Sequence, residues 1–385
     1  MAVGWDADSA VETWPGLAPL DGDVTADACV VGLGGSGLAA VSALLARGLT
    51  VVGVDAGRVG EGAAGRNGGF LLGGPALFLH DAIEGWGADA AVGLYRETLA
   101  ELDALEAALG PSVIERRGSI RLAGLPGEPV DEHEEADRRA EAADCAAHAD
   151  ALRAHGIAVE EYDGPLGRGI FLPDDGSTNP AVRILRTAQR LAPRASLHER
   201  TPVRTVAAGR VETATGAVSA AVVVVAVDGR LEVLLPQLSG RMRSARLQML
   251  ATAPVSPGRL PCPVYGRWGY DYAQQSADAR IFVGGGRDRF EADEWTPAAE
   301  PTGPVQGYLD GLAARMAGGP VAVAHRWAAS VGFTDDGRPL CTPVAEGVVA
   351  IGGYNGTGNL VGPVAARAAV ALALDGTPPP PWCAS

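Results

Sequence analysis

The feature that most constrains this chain is a glycine pattern near its start. Ala28-Cys29-Val30-Val31 is a short apolar run ending at Gly32, and the spacing Gly32-x-Gly34-x-x-Gly37 follows at once. An apolar-periodic stretch continues to about Arg47 and stops at Gly48, and a second apolar run, residues 50–54, ends on Asp55. Buried strand, glycine-opened helix and second strand together predict a βαβ crossover of about 30 residues, the size of a mononucleotide-binding unit. Each glycine has its own task. Gly32 allows the tight turn, Gly34 lets the backbone approach a pyrophosphate, and Gly37 lets the helix pack on the sheet. Gly35 and Ser36 fall in the first helical turn, whose free N–H groups and positive dipole end favour phosphate charge. Asp55, 18 residues beyond Gly37, stands where ribose hydroxyls are accepted, and its charge disfavours a 2′-phosphate.

The rest of the chain reads as a mixed α/β protein. Val92, Tyr95, Leu99, Leu102, Leu105 and Leu109 recur at helical spacing before Gly110, and residues 131–155 form a polar, alanine-rich surface helix ending at Gly156. Asn179-Pro180 caps a helix to about Leu191, and residues 220–227 form an apolar run without alternation, a strand buried on both faces. Residues 246–253, 268–272 and 279–283 are β-rich, and near the end a strand (348–351), a glycine turn (352–358) and a helix (359–374) follow one another. Parallel-type strands at both ends around an antiparallel middle predict an α/β fold in which a discontinuous Rossmann-type domain is interrupted by a second, mainly antiparallel-sheet domain.

Composition excludes several functions. All 31 basic residues counted with lysine are arginine; there is no lysine, so neither a Schiff-base enzyme nor a lysine-dependent phosphate loop is possible. A net charge of -15 argues against a nucleic-acid partner. The 5 cysteines form no CxxC pair, which predicts reduced thiols, a cytoplasmic setting and no metal site. The start of the sequence lacks the basic and apolar regions of a secretory signal, and the longest apolar stretch, residues 217–227, is too short to span a membrane.

Two further glycine-rich turns narrow the nucleotide. Residues 57–69 end in Gly65-Arg66-Asn67-Gly68-Gly69, and Ile351-Gly352-Gly353-Tyr354-Asn355-Gly356-Thr357-Gly358-Asn359 opens the last helix. So many glycines imply close backbone approach to a bulky planar ligand, which a nicotinamide dinucleotide would not explain. With Leu20-Asp21-Gly22-Asp23, Thr201-Pro202-Val203, residues 248–252, Gly284-Gly285-Gly286-Arg287 and His325-Arg326-Trp327…Thr334-x-Asp336-Gly337-x-Pro339, the chain resembles the D-amino-acid oxidase superfamily of FAD-dependent oxidoreductases, nearest the glycine oxidase and γ-glutamylputrescine oxidoreductase group.

That resemblance implies an FAD-binding domain over residues 1–80, 170–244 and 325–385 and a substrate domain over 81–169 and 245–324. FAD contacts are implied at Gly32, Gly34, Gly35, Ser36, Gly37, Asp55, Ala56, Gly57, Arg66, Asn67, Gly68, Gly69, Val203 (by the adenine), Gly353, Asn355, Gly356, Thr357, Gly358 and Asn359. A helix starting near Gly358 would aim its N–H groups at the flavin N1–C2=O edge, favouring the reduced anion. The reaction implied is oxidation of an amine or amino acid: hydride passes from a neutral amine to flavin N5, and the imine is hydrolysed, with O2 or another acceptor reoxidising the flavin. Tyr270, Tyr272 and Trp327 are the candidate catalytic residues.

Departures from the family bear on substrate and flavin. Amino-acid-oxidising relatives carry an arginine shortly after the Trp-x-Gly of the penultimate strand, where it pairs with the substrate carboxylate; here Ala329 replaces the glycine and Val331 stands near the arginine place. An amine without that clamp is the expected substrate, although Arg66, Arg121, Arg287 or Arg326 could act in its stead. The alternatives are a D-amino acid or N-methyl amino acid enzyme, a 2-hydroxy acid dehydrogenase, and a flavin-binding protein without catalysis. Ala329 also occupies the region where sarcosine-oxidase relatives attach FAD through cysteine, so the FAD is expected to be non-covalent.

Overall fold

The computed structural model describes residues 3–384. Two eight-stranded sheets organise it. In the first, strands Val24–Val31, Val51–Val54, Ala217–Val225, Val348–Gly352 and Ser196–His198 run parallel around Val24–Val31, and Leu340–Ala345 closes one edge antiparallel. The last four residues of Val24–Val31 and all of Val51–Val54 are buried. Helix Gly35–Ala46 lies over this sheet, and Gly48, in the left-handed region (φ 79), turns the chain into the next strand. The last helix, Gly358–Asp375, packs beside it: a Cβ on Gly362 would come 3.3 Å from Ser36 Cβ. The glycine-opened crossover expected from sequence is therefore present, and both sheet and helices feed one large apolar core.

The second sheet has the order Val323–Phe333, Arg243–Thr252, Ile281–Gly284, Asp271–Gln275, Val264–Gly266, Ser119–Leu122, Gly167–Leu172, Glu160–Gly164. It is antiparallel except for the Val264–Gly266/Ser119–Leu122 pair. One face is covered by helix Gly303–Ala317, whose Leu309 and Leu312 pack on Leu250, Val264 and Val283. The opposite face looks toward the first sheet. Register lines up one row of residues across it: Trp327, Met249, Gly284, Tyr272, Tyr265, Arg121 and Ile170 are successive cross-strand partners.

Three expectations need adjustment. The strand Val323–Phe333 pairs with Arg243–Thr252 in the second sheet, so the boundary at residue 325 cuts through a strand of the antiparallel layer. Residues 268–272 are not one strand: Arg267–Gly269 is a 3-10 turn with Arg267 (φ 51) and Trp268 (φ 56) in the left-handed region, and the strand starts at Asp271. The helix Glu132–Ala154 is not confined to the surface, since Glu141, Cys145, His148, Ala149 and Leu152 are buried. Asp131 caps it by accepting from Glu134 N, and the buried face escapes the sequence because alanine hides the periodicity.

Candidate functional site

A cavity of about 1170 Å3 is lined by both sheets. At the parallel-sheet end stand the first turns of helices Gly35–Ala46 and Gly358–Asp375, neither of which has a side-chain cap. Their N–H groups are left for a ligand. Gly32, Gly34, Gly35, Ser36, Asp55, Ala56, Gly57, Arg66, Asn67, Gly68, Val203, Asn355, Gly356, Thr357, Gly358 and Asn359 all line this cavity. Residues from four distant parts of the sequence thus meet at one place.

The cradle is held by short polar contacts. Asp55 accepts from Leu33 N (2.7 Å) and Gly57 N (3.0 Å), so its carboxylate ties the fingerprint turn to the following loop. Burial, with Glu199 and Glu61 nearby, outweighs those two bonds and pushes Asp55 up to about 6. Asn67 and Asn359 exchange amide hydrogen bonds (2.9 and 3.2 Å), which joins the second glycine loop directly to the last helix. Asn67 also accepts from Gly69 N (2.7 Å). Asp228, half-buried at the end of the central strands, accepts from Gly353 N (2.9 Å) and Gly332 N (3.1 Å) and fixes the C-terminal turn. Burial pushes this carboxyl up to about 6 as well.

Sequence reasoning missed one residue of this cradle. Arg183, 2% exposed, lines the cavity between the two helix starts. Its Nη2 donates to Asn359 Oδ1 (2.7 Å) and its Nη1 to Asn359 O (3.3 Å), and a Cβ on Gly35 would lie 3.4 Å from Nη2. Its Nε is buried without a partner, and burial lowers the guanidinium to about 10. A cation lining the cavity beside two uncapped helix N-termini suits a diphosphate. Its one sequence signal was an arginine on the buried side of the helix capped by Asn179.

Residues 27–372 match the model of the FAD dependent oxidoreductase family, DAO. The chain belongs to that family. It is 27% identical over 377 residues to Probable oxidoreductase OrdL of Rhizobium meliloti, a match covering 92% of this chain and 84% of that protein. Among solved structures, glycine oxidase from Geobacillus kaustophilus superposes with a TM-score of 0.69 at 18% identity, covering 91% of this chain and 94% of that one. L-proline dehydrogenase from P. horikoshii gives 0.70 at 16% (94% and 96%), and L-amino acid deaminase from Proteus vulgaris 0.70 at 16% (95% and 99%). At these identities the structures establish the fold, and the family match establishes an FAD-dependent oxidoreductase.

Seen as a member of this FAD family, the chain has a cradle whose residues fit the cofactor. Three glycines named from sequence serve it from behind. A Cβ on Gly37 would overlap the carbonyl oxygen of Gly32, one on Gly69 (φ 74) the carbonyl oxygen of Thr178, and one on Gly353 (φ 66) would come 2.7 Å from Thr334 Cγ2. None of the three lines the cavity, so they are packing residues. The candidate catalytic residues divide. Tyr272 lines the cavity, touches the place of a Gly68 Cβ, and packs edge-on against Phe70 at 5.8 Å. Tyr270 also lines it but is 39% exposed on the 3-10 turn rather than beside Tyr272 on a strand. Trp327 does not line it: 2% exposed, it sits in the core with its Nε1 donating to Arg66 O (2.8 Å). Its bulk and its hydrogen bond place the Arg66 loop, a positioning role. Val331 lines the cavity.

The antiparallel sheet supplies the opposite wall. Tyr272, Tyr265 and Arg121 stand side by side on adjacent strands, and Phe70, Phe78, Trp268 and Phe333 complete an aromatic lining. Gln274 donates to Gly68 O, tying this wall to the second glycine loop. Glu141, buried, accepts from Gly124 N (2.7 Å), Arg267 N (2.9 Å) and Trp268 N (2.6 Å), and so holds the strained turn beneath Tyr270. No helix among the described residues is long and apolar enough to cross a membrane.

Proposed function

We propose that the protein oxidises the C–N bond of an amine or amino acid with FAD held non-covalently in this cavity. The observation that carries the proposal is the convergence of two uncapped helix starts, Arg183 and Asp55 with an aromatic wall on a single cavity. The N–H groups of Gly34 to Ser36 and the Arg183 guanidinium would hold the pyrophosphate, Asp55 the ribose, Val203 the adenine, and the turn Asn355–Asn359 the flavin's polar edge. FAD, when bound, supplies the two-electron sink that takes hydride from the substrate carbon, leaving an imine for water to hydrolyse.

The chain's own residues exclude water and orient. Tyr272, Tyr265 and Phe70 form an apolar wall beside Gly68, and burial pushes the Tyr265 and Tyr272 phenols up, so they stay neutral and can offer a hydrogen bond rather than act as bases. The five cysteines are buried and none lines the cavity, which supports non-covalent FAD. Glycine oxidase, L-proline dehydrogenase and L-amino acid deaminase act, by their names, on amino acids, and this supports the C–N class. The test is anaerobic mixing of the purified yellow protein with amines, D- and N-methyl amino acids, and 2-hydroxy acids. Bleaching by an amine or amino acid, with FAD released intact on boiling, is expected. Bleaching by hydroxy acids alone, or by nothing, refutes the proposal. Reoxidation in air against an added dye then separates oxidase from dehydrogenase.

A further inference from the structure

The chain ahead of the family stretch, 27–372, is folded into the core. The 3-10 turn Gly4–Ala7 carries Trp5, 3% exposed, into the apolar cluster that both sheets share. Its ring stacks on Phe282 at 3.5 Å with the planes 5° apart, and Phe282 meets Trp327 edge-on at 6.1 Å. Little room is left around it: a Cβ on Gly4 would come 2.8 Å from Ala251 Cβ and 2.9 Å from the Phe282 ring. The backbone is tied too, since Asn179 Nδ2 donates to Trp5 O (3.2 Å). Packing of this kind accounts for an aromatic ring at position 5. It does not account for the indole N–H.

That N–H has a specific target. Trp5 Nε1 donates to Asn67 O at 2.9 Å, and Trp327 Nε1 donates to the preceding carbonyl, Arg66 O, at 2.8 Å. Two buried indoles therefore grip successive carbonyls of the second glycine loop from the core side. Neither Trp5 nor Trp327 lines the cavity, whereas Arg66, Asn67 and Gly68 do.

Peptide planarity carries the consequence through the loop. In a trans peptide the carbonyl and the N–H that follows it point in opposite directions. The Asn67 N–H, in the peptide whose carbonyl Trp327 holds, is spent on Ala63 O (3.1 Å). The Gly69 N–H, in the peptide whose carbonyl Gln274 holds, is spent on Asn67 Oδ1 (2.7 Å). The Gly68 N–H belongs to the peptide that Trp5 holds, and it makes no hydrogen bond to any described residue. Gly68 is buried, and a buried backbone N–H nearly always has a partner. Turned away from Trp5 and the core, this donor is left for a ligand in the cavity. The exchange of amide hydrogen bonds between Asn67 and Asn359 sets Gly68 beside the start of the last helix, where the flavin's polar edge is assigned.

Resting on the reading of this cavity as an FAD site, we propose that Trp5 is a positioning residue for the flavin. By holding the Asn67 carbonyl toward the core, it presents the Gly68 N–H to the isoalloxazine ring. The segment before residue 27 is thus part of the cofactor site without touching the cavity. Its effect falls on the ring end of FAD and not on the diphosphate end, where Arg183 stands.

Titration of the apoprotein with FAD, and with ADP as the same nucleotide without its flavin, tests this. Trp5→Phe keeps an aromatic ring against Phe282 and removes the N–H. It should bind FAD about three- to tenfold more weakly and bind ADP as wild type does. Trp382→Phe removes another buried indole N–H, one that reaches Glu97 (3.2 Å) instead of the loop, and should leave both affinities unchanged. An equal loss for FAD and ADP in Trp5→Phe, no loss for either, or the same FAD-specific loss in Trp382→Phe would each overturn the proposal. Amide hydrogen exchange of wild type, resolved to single residues, gives an independent reading and decides alone should Trp5→Phe not fold. The Gly68 amide should be protected by FAD and not by ADP, and equal exchange with the two ligands overturns the assignment. A wild type that takes up ADP and no FAD fails at the earlier reading of the cavity, and this inference falls with it.

Discussion

Replacing Arg183 by methionine should separate holding the cofactor from holding the fold. Arg183 makes two hydrogen bonds to Asn359, at 2.7 and 3.3 Å, and its buried Nε has no partner among the described residues. Losing those two bonds costs about 1 kcal/mol each. Removing a desolvated guanidinium that has no carboxylate at contact returns several kcal/mol, roughly offsetting the loss. Asn359 keeps its bonds to Asn67 and to Phe70 O (2.8 Å), so the turn should survive. The melting temperature of the cofactor-free variant is therefore expected to match wild type or exceed it. With a diphosphate in the cradle, a charge-assisted hydrogen bond worth about 1.5–3 kcal/mol is missing. At about 1.4 kcal/mol per decade, FAD should bind about 10- to 150-fold more weakly. ADP, which carries the same diphosphate without a flavin, should lose a similar factor. Titration of the apoprotein, followed by quenching of flavin fluorescence for FAD and by calorimetry for ADP, reads both constants. An FAD affinity within threefold of wild type, in a variant that melts normally, would refute the placement of Arg183 in the cradle.

Acid should weaken cofactor binding. Burial raises Asp55 to about 6, and only the ionised form offers all its acceptors to ribose hydroxyls. Above about pH 7 the carboxylate is already charged and affinity should be flat; below 6 a proton must leave on binding, and affinity should fall by up to about tenfold per pH unit. Asp55→Asn should bind weakly at every pH, and a flat wild-type profile down to pH 5 would contradict the linkage. Gly69→Ala places a methyl group on the Thr178 carbonyl at a backbone φ of 74, so overpacking and a left-handed alanine should together cost about 2–5 kcal/mol in urea unfolding, whereas Gly319→Ala, with nothing within 4 Å and away from the cavity, should be silent. Arg246→Met leaves the buried Glu294 with only Gln248 as a charge-stabilising donor and should destabilise by about 3–5 kcal/mol; Arg246→Met with Glu294→Leu should recover most of it, and a double variant no better than the single would argue against the pair as the cause.

Much of the cofactor end was legible from sequence because its signals are local. The glycine spacing after an apolar run, Asp55 at the next strand end and the turn before the last helix each specify backbone geometry within a few residues, and all the residues expected at the cofactor except Gly37, Gly69 and Gly353 line the same cavity. The substrate end was less legible. Tyr270 and Tyr272 read as alternate residues of one strand, yet two left-handed residues, Arg267 and Trp268, break the strand before it starts and send Tyr270 to the surface. Trp327 read as a candidate catalytic residue; the register that aligns it with Met249 places it in the core under Arg66.

Sequence alone determined that this chain builds a nucleotide-binding crossover and a second glycine grip, since tight turns, close approach and positive φ are demands that particular residues meet without help from afar. It also showed that the usual carboxylate arginine is absent at position 331. Which of the arginines reaches the cofactor cradle was decided only by tertiary structure. An arginine's availability depends on every acid and carbonyl folded against it: Arg326 is spent on Asp310 and Arg246 on Glu294, while Arg183 emerges on the cavity between the two helix starts.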